Sequence, residues 1–387
     1  YPIAEVLEDW SRTHNVRNLN IDELRPYLEK IEKDMGVERM SQGVGKSSKI
    51  LLKGAQVLQW KAAEVPRFWR YDNGPNKEPE GIRQSMTQSL LPMAQESGCR
   101  LMALTKVLKI VFQGQKADHV VVESQEGQKR QRRKIHFDHL IVSGGAIQTP
   151  ALLRRSGIKR NIGNSLAMHP AVRIVADFKR PVYDQNEGVP VVQVQEFKPK
   201  LTLGGSFSGL PHAALWLSGH DGMREKLSSW KNMAIFYALI MSTAKGVVRN
   251  FPVLNEAFVR MTPTSEDLKA MGEGLYRLGE LLFAAGAVEI YPPVAGWPVF
   301  RNLKDMEILK KGLPADKADL STIHLFSSCP MGEDLAQCAV DSYGRLHGYK
   351  NVYLNDASIL PGPPGVNPQA LIMAIARRNI HQFLKQN

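Results

Sequence analysis

The chain has 387 residues, 43% of them hydrophobic, and a formal net charge of +12 at pH 7, which predicts a soluble globular protein large enough for two domains. It contains no run of about eighteen apolar residues, which excludes a transmembrane helix, and its cysteines lack the spacing of a disulfide framework or a zinc site. The positive charge favours acidic partners or an anionic membrane surface, so the cytoplasm and the periphery of a membrane both stay open as locations.

The first seventy or so residues are predicted to be mainly helical. Apolar residues recur at helical spacing over residues 21–31, and a second helix is expected around residues 50–59. The G-V-G-K-S-S stretch between them superficially resembles a phosphate-binding loop. It lacks the first glycine of G-x-x-x-x-G-K-[ST], so we interpret it as a plain loop.

The next part of the chain is predicted to contain a helix over residues 84–94 and then several short strands joined by tight turns. The strands are expected at residues 100–104, 107–112, 120–123 and 135–142. The basic run 129–134 has no aromatic residues between its charges, so we interpret it as a solvated hairpin tip rather than a contact for nucleic acid.

Residues 140–158 predict a buried strand, a double glycine that allows close backbone approach, and a helix that begins at Pro150. Alternating apolar residues between 172 and 260 then favour an antiparallel sheet. Residues 266–285 are predicted to form a long amphipathic helix whose apolar side chains belong to the core.

The last part of the chain contains a predicted strand at 352–354, a loop dense in glycine and proline at 356–367, and a helix that begins at Asn367 and Pro368. A strand that runs through such a loop into a helix N-terminus can hold anionic or electron-rich ligand atoms on its backbone N–H groups.

Two segments resemble the signatures of the glucose–methanol–choline (GMC) family of flavin oxidoreductases. The C-terminal signature is H-x-x-G-T-C-x-M-G, V-D-x-x-x-R-V-x-G and N-L-x-V-x-D-x-S, followed by a second His or Asn. The matching residues are His324, Cys329, Met331, Gly332, Val340, Asp341, Arg345, Gly348, Asn351, Asp356, Ser358 and Asn367. The other signature, G-A-[IL]-x-[ST]-P-x-L-L-x-x-S-G-I, matches from Gly145 to Ile158. Ser327 and Ser328 stand where the family has Gly-Thr. The chain looks most similar to the long-chain alcohol oxidase and bacterial sterol oxidase-like branch.

The resemblance implies an α/β fold of mixed α+β character, with a GMC-type FAD-binding domain and a substrate domain on an antiparallel sheet. We expect residues 1–83 to form a helical segment bordering both domains. Residues 84–170 and 320–387 are then the two parts of the flavin domain, the second carrying the catalytic site, and residues 171–319 are the substrate domain.

The family's strand–G-x-G-x-x-G–helix unit, which binds the FAD pyrophosphate, is not recognisable in this chain, which starts at Tyr1. The expectation is therefore a processed or fragmentary chain. It would be the C-terminal portion of a GMC protein and lack the N-terminal Rossmann half. A separate chain or N-terminal segment would supply the FAD-binding unit.

The resemblance also implies FAD-dependent oxidation of an alcohol to a carbonyl, with hydride transfer to the flavin. Imidazole is suited to taking the hydroxyl proton, and His324 matches the family's catalytic histidine, so His324 is the expected base. Asn367 matches the second catalytic position, where its amide can hydrogen-bond the substrate oxygen. His169 is an acid–base candidate by residue type, but the family uses its position to lead out of the flavin domain.

Six further positions are carried over from the family as FAD-binding residues, and no metal ligand is predicted. Asp356, Ala357 and Pro368 are expected near the ribityl chain, pyrophosphate or pyrimidine edge, Gly145 and Ala146 near the adenosine, and Val107 on a strand that contacts the adenine. A turn-capping role is the alternative for Asp356.

Three functions stay open at this point. The first is an alcohol oxidase or dehydrogenase acting on an alcohol substrate, with a lipophilic alcohol as one option. The second is a GMC-like lyase or decarboxylase that keeps the flavin. The third is a non-catalytic GMC-like subunit of a complex, and no nucleic acid partner is expected in any of them.

Overall fold

A computed structural model describes residues 1–41, 43–71, 81–127, 129–183, 189–251 and 256–386. The helices are α1 (Ala4–Thr13), α2 (Ile21–Met35), α3 (Lys46–Leu58), α4 (Leu90–Glu96), α5 (Gly145–Arg155), α6 (Leu210–Leu217), α7 (Met223–Leu227), α8 (Ser265–Ala284) and α9 (Gln369–Gln386). Short 3-10 helices occur at Trp230–Asn232, Asp305–Lys311 and Ala357–Ile359.

The strands are β1 (Val37–Glu38), β2 (Ala62–Glu64), β3 (Arg67–Arg70), β4 (Ile82–Arg83), β5 (Thr105–Gln113), β6 (Lys116–Glu126), β7 (Lys129–His136), β8 (Leu140–Val142), β9 (Ala167–Met168), β10 (Ala171–Asp177), β11 (Val192–Val194), β12 (Leu201–Ser206), β13 (Met233–Ile240), β14 (Val247–Asn250), β15 (Ala257–Arg260), β16 (Glu289–Tyr291), β17 (Leu325–Phe326) and β18 (Val352–Leu354).

The largest sheet in the described residues has six strands in the order β16-β10-β13-β12-β11-β2. All its strand pairs are antiparallel, as the alternating apolar pattern predicts. Val172, Ile174 and Phe236 project from one face and pack against α8 and α3 in one apolar cluster. Because side chains alternate along a strand, Val175 and Ile235 project from the opposite face, where they pack against α6 and α7.

The long helix α8 begins with a capping box. Thr264 accepts a hydrogen bond from Asp267 N, and the Asp267 carboxylate accepts one from Thr264 N, so two of the unpaired N–H groups at the helix start are satisfied. Met271, Leu275 and Leu278 then lie buried on one side, which places the predicted amphipathic helix against the sheet.

A second apolar cluster joins distant parts of the chain. It contains residues of α1 and α2, the three-stranded sheet β5-β6-β7, and the C-terminal segment through α9. Between them β8 pairs in parallel with β18, with Leu140 opposite Val352 and Val142 opposite Leu354. The carboxyl ends of these two strands therefore lie side by side, and Gly145 and Asp356 follow them directly. The domain boundaries at residues 83, 170 and 319 stay a prediction.

Three predicted elements differ in the structure. The helix predicted over 84–94 is shorter, because the Ser89 hydroxyl donates to Ser85 O and Ser85 bonds Thr87, which compete locally with helix formation. No strand forms at 100–104, where Leu104 has φ 49. The basic run 129–134 belongs to β7 rather than to a hairpin tip, although its side chains are exposed as expected.

The helix predicted to begin at Pro150 begins five residues earlier, at Gly145. Side chains satisfy its first N–H groups: Gly144 N donates to Thr149 Oγ1 over 2.9 Å, and Gly145 N donates to Asp356 Oδ2 over 2.8 Å. Helix α9 starts at Gln369, close to the predicted position. Within the described ranges, none of the helices combines the length and the apolar character that a membrane span requires.

Candidate active site

His324 and His169 form an imidazole pair where β17 meets β9. Leu325 pairs with Met168 in this short antiparallel ladder, and His169 N donates to His324 O over 3.2 Å. The two Nδ1 atoms lie 3.4 Å apart, with the ring planes at 80°. His169 is completely buried and His324 partly buried. The structure therefore places next to His324 a histidine that is an acid–base candidate by residue type, although the family uses its position to lead out of the flavin domain.

The hydrogen bonds around His169 fix its tautomer. Gly365 N donates to His169 Nε2 over 3.2 Å, so Nε2 carries a lone pair and the hydrogen of the neutral ring lies on Nδ1. That Nδ1–H faces His324 Nδ1, which must accept it. The hydrogen of His324 then lies on Nε2, an atom that makes no hydrogen bond within the described residues.

Both imidazoles are neutral at pH 7. Burial lowers the pKa of His324 to about 4. Burial, together with the charge of His324, lowers the pKa of His169 to about 3. Desolvation disfavours the charged form of a histidine, so the imidazole of His324 stays neutral.

Asn367 lies on the loop that follows Gly365, and its side chain is exposed. Gln193 Nε2 donates to Asn367 Oδ1 over 2.9 Å and lies 3.3 Å from the Tyr237 hydroxyl. Among the described residues, no hydrogen bond joins Asn367 directly to His324. The nearest link is Gly365, two residues before Asn367, whose N–H donates to the His169 that contacts His324.

Gln193 and Tyr237 belong to a polar row that crosses the six-stranded sheet on the face opposite α8. Arg173 pairs with Tyr237, Tyr237 with Gly204, and Gly204 with Gln193. A Cβ on Gly204 would lie 2.4 Å from the Tyr237 hydroxyl, so glycine makes room for the ring. The Arg173 guanidinium bonds the Ser321 hydroxyl. The sequence indicates this row only weakly, by a polar residue inside each of three largely apolar strands, β10, β11 and β13.

The segment after His324 runs along the 3-10 helix Ala357–Ile359. Ser327 N donates to Ala357 O, and Cys329 N donates to Ser358 O over 2.8 Å. Ser327 has φ +64, the left-handed region that favours glycine, which explains why the family signature has glycine there. Ser327 Oγ is buried and has no hydrogen-bond partner in the part of the chain that the structure describes.

Asp356 caps this 3-10 helix and also ties it to α5. Its Oδ1 accepts from Ser358 N over 2.7 Å. Its Oδ2 accepts from Gly145 N over 2.8 Å and from the Thr149 hydroxyl over 2.5 Å. These bonds match the turn-capping alternative, and they commit both oxygens to protein donors.

The remaining predicted cofactor residues lie in different settings. Ala146 is buried in a small cluster with Ala151 and Leu166. Pro368 is buried and its carbonyl accepts from Ile372 N. Val107 pairs with Val122 in the three-stranded sheet, against the second apolar cluster, away from the histidine pair in sequence and in sheet.

Comparison with known proteins gives a consistent family assignment. The N-terminal and C-terminal models of the GMC oxidoreductase family match residues 2–171 and 253–376. The chain is 36% identical to an uncharacterised GMC-type oxidoreductase of Sinorhizobium fredii, over 97% of this chain and 76% of that protein. It is 24% identical to a long-chain-alcohol oxidase of Arabidopsis thaliana, over 96% of this chain but only 55% of the oxidase.

Solved structures share the fold. Pyridoxine 4-oxidase from Mesorbium loti superimposes with a TM-score of 0.73 at 17% identity, covering 99% of this chain and 81% of the oxidase. Formate oxidase of Aspergillus oryzae gives a TM-score of 0.71 at 14% identity, covering 100% of this chain and 82% of that chain.

These matches correct three expectations. The chain is not only a C-terminal GMC portion, because the N-terminal family model matches residues 2–171. The expectation that the Rossmann half is lacking is wrong for the same reason, and the expected separate FAD-binding chain or segment is not needed to account for that domain. The expectation depended on one short motif, G-x-G-x-x-G, whereas the family model matches the N-terminal domain over residues 2–171.

GMC oxidoreductases bind FAD, and residues of this site suit such a ligand. Gly145 has φ +79, and nothing lies within 4 Å of where its Cβ would be, so a ligand can approach the backbone at the end of β8. The Ser327 hydroxyl, three residues after His324, is a buried polar group that has no hydrogen-bond partner among the described residues. A cofactor rich in hydroxyl and phosphate oxygens fits these features.

Proposed function

Because this chain belongs to the GMC oxidoreductase family, we propose that it oxidises an alcohol to a carbonyl compound with FAD as the electron acceptor. The observation that carries the proposal is the His324–His169 pair, in which His324 is a neutral and partly buried imidazole whose Nε2 makes no hydrogen bond to the described residues. Bound FAD supplies the two-electron acceptor that takes the hydride from the alcohol carbon.

His324 acts on the hydroxyl of the substrate. In the tautomer described above, its Nε2–H donates a hydrogen bond to the substrate oxygen. To accept the hydroxyl proton, Nε2 must lose its hydrogen, so the hydrogen of His324 moves to Nδ1 and that of His169 to Nε2. Two donors, His169 Nε2–H and Gly365 N–H, then face each other, and the hydrogen bond between them is lost. Proton acceptance by His324 is therefore coupled to the loop that carries Asn367.

Asn367 holds the substrate oxygen from the other side. Its carbonyl oxygen is already occupied by Gln193, which leaves the amide N–H groups to donate. The polar row of Arg173, Tyr237 and Gln193 faces the same space. Burial raises the pKa of Tyr237, so its hydroxyl stays protonated and available as a donor.

The proposed FAD neighbours follow the family signature. They are Val107, Gly145, Ala146, Asp356, Ala357 and Pro368. Asp356 contributes by fixing the start of α5 against the 3-10 helix, since its oxygens accept from Gly145 and Thr149. As substrate we propose an alcohol with a long aliphatic chain, supported by the likeness to plant long-chain-alcohol oxidases.

The test is anaerobic reduction of the flavin, followed by stopped flow with a panel of long-chain, short-chain and aromatic alcohols. We expect His324→Ala to slow reduction by about 100-fold, the usual scale of general acid–base catalysis. Asn367→Ala should also slow it, and the double variant should lose less than the product of the two effects because both residues act on one oxygen.

Flavin content should stay unchanged in His324→Ala, since that side chain faces the substrate. His212→Ala, at an exposed histidine on α6, is the matched control and should reduce its flavin at the normal rate. Reduction of His324→Ala at the wild-type rate would remove the assigned role of His324. Flavin that no alcohol reduces would instead favour the lyase or decarboxylase alternative.

A further inference from the structure

A cluster of two histidines and one aspartate lies on the β5-β6-β7 sheet, apart from the histidine pair of the active site. His119 on β6 lies directly opposite His136 on β7, and their ring centroids are 5.1 Å apart. Asp118 Oδ2 lies 2.8 Å from His119 Nδ1 and 3.6 Å from His136 Nδ1. One ligand atom from each of the three residues falls within 4.8 Å of the others.

A β-bulge creates this arrangement. On the β5 side, Val111 pairs with His119 and Phe112 pairs with Ala117, so Asp118 is the extra residue with no partner. Adjacent strand residues normally project to opposite faces, but a bulge re-aims a side chain. The bulge therefore brings the Asp118 carboxylate to the same side as the imidazole of His119.

The backbone on both sides of the cluster is held in place. The buried Asn351 exchanges two 2.9 Å hydrogen bonds with Ala117 and donates a third to Asp138 O over 2.8 Å. Ala117 directly precedes Asp118, and Asp138 follows His136 by two residues. A side-chain clamp that fixes both strands around three potential ligands is the support that a preformed binding site requires.

We propose that Asp118, His119 and His136 bind a divalent transition metal ion, with Zn²⁺ as the ion that suits two imidazoles and one carboxylate. With metal–ligand bonds of about 2.0–2.2 Å, tetrahedral ligand atoms lie roughly 3.3–3.6 Å apart, so the 2.8 and 3.6 Å separations need only small movements. Water completes the coordination, because the His136 side chain is 66% exposed.

The charge around the cluster shows which interactions must provide the affinity for a metal ion. The neighbouring residues 129–134 of β7 are strongly basic, so this surface does not attract cations in general. Affinity must come from the three direct ligands rather than from a negative patch. Neutral imidazole and carboxylate are ligands that Zn²⁺ accepts readily.

The experiment uses the untagged, FAD-containing protein after treatment with a chelator. Zn²⁺ is titrated by calorimetry, and Co²⁺ is added separately to follow its visible absorption as a probe of coordination. We expect one Zn²⁺ per chain and a higher unfolding temperature with the ion. Loss of an outer-shell partner alone costs about 10- to 100-fold in affinity, so His136→Ala and Asp118→Asn should each weaken binding by at least about tenfold.

His212→Ala, at an exposed histidine outside the cluster, should bind Zn²⁺ as tightly as the wild type. The exposed His136 can be replaced without disturbing the core, so the unfolding temperature of His136→Ala without metal should match the wild type and confirms folding. The proposal is overturned if the wild type binds no Zn²⁺, or if His136→Ala and His212→Ala bind it equally.

Discussion

Replacing His169 separates its contact with His324 from its contact with Gly365. Asparagine places its amide near the position of Nδ1, whereas glutamine reaches the position of Nε2. His169→Asn therefore keeps a polar group next to His324 Nδ1 and loses the partner of Gly365 N. His169→Gln keeps the Gly365 contact and loses the one to His324.

The magnitudes follow from single hydrogen bonds. A net contribution of about 1 kcal/mol for such a bond corresponds to about fivefold in rate. We expect His169→Gln to reduce its flavin about fivefold more slowly at pH 7.5, and His169→Asn to stay within about twofold of the wild type. The orienting contact at Nδ1 is the one that positions His324 for the substrate.

The pH profile distinguishes this role from a purely structural one. In the wild type, protonating His324 requires His169 to change tautomer and to give up its bond from Gly365, which costs about 1 kcal/mol. Neither variant has an imidazole at position 169 that must change tautomer, so neither has this cost. The pKa of the acid limb of flavin reduction should therefore rise by about 0.7 in both variants.

The assay is anaerobic stopped flow from about pH 3.5 to 9, because the pKa of His324 is about 4, within the range in which each variant keeps its flavin. An unchanged acid limb in both variants, or an equal loss of rate in His169→Asn and His169→Gln, would refute the tautomer argument.

Two further predictions concern stability. Burial lowers the pKa of His324 to about 4 and that of His169 to about 3 from an ordinary 6.5. The unfolded chain therefore binds more protons below pH 6.5, and the free energy of unfolding should fall as pH drops from 6.5 toward 4, with a shallower fall in His169→Asn, measured by calorimetry. Ser327→Gly should raise the free energy of unfolding by about 1 kcal/mol by relieving the left-handed backbone at φ +64, which is about 1 °C for a chain of this length; a lower unfolding temperature would contradict that reading.

The sequence predicted those elements whose signals are local. Helix α8 was recognisable because its apolar residues recur at helical spacing within one stretch. The strand, loop and helix around Asp356 and Asn367 were recognisable from glycine, proline and a known motif. The helix over 84–94 begins only at Leu90 and runs to Glu96, because the Ser89 hydroxyl bonded to nearby backbone delays its start. The short glycine motif was a poor guide to the N-terminal domain, since the rest of that domain matches without it.

The contacts of the site that could not be predicted depend on strand register. His169 lies opposite His324 only because β9 pairs with β17, two strands separated by more than 150 residues, and no local pattern specifies that pairing. The polar row has the same origin: Arg173, Tyr237 and Gln193 come from three strands, and a shift of one residue in any pairing would turn a side chain to the α8 face. Strand register therefore brings polar residues that are isolated in their own strands into one row on the sheet face opposite α8. The same reasoning explains Asp118, whose direction depends on a bulge between β5 and β6 that residue spacing alone does not show.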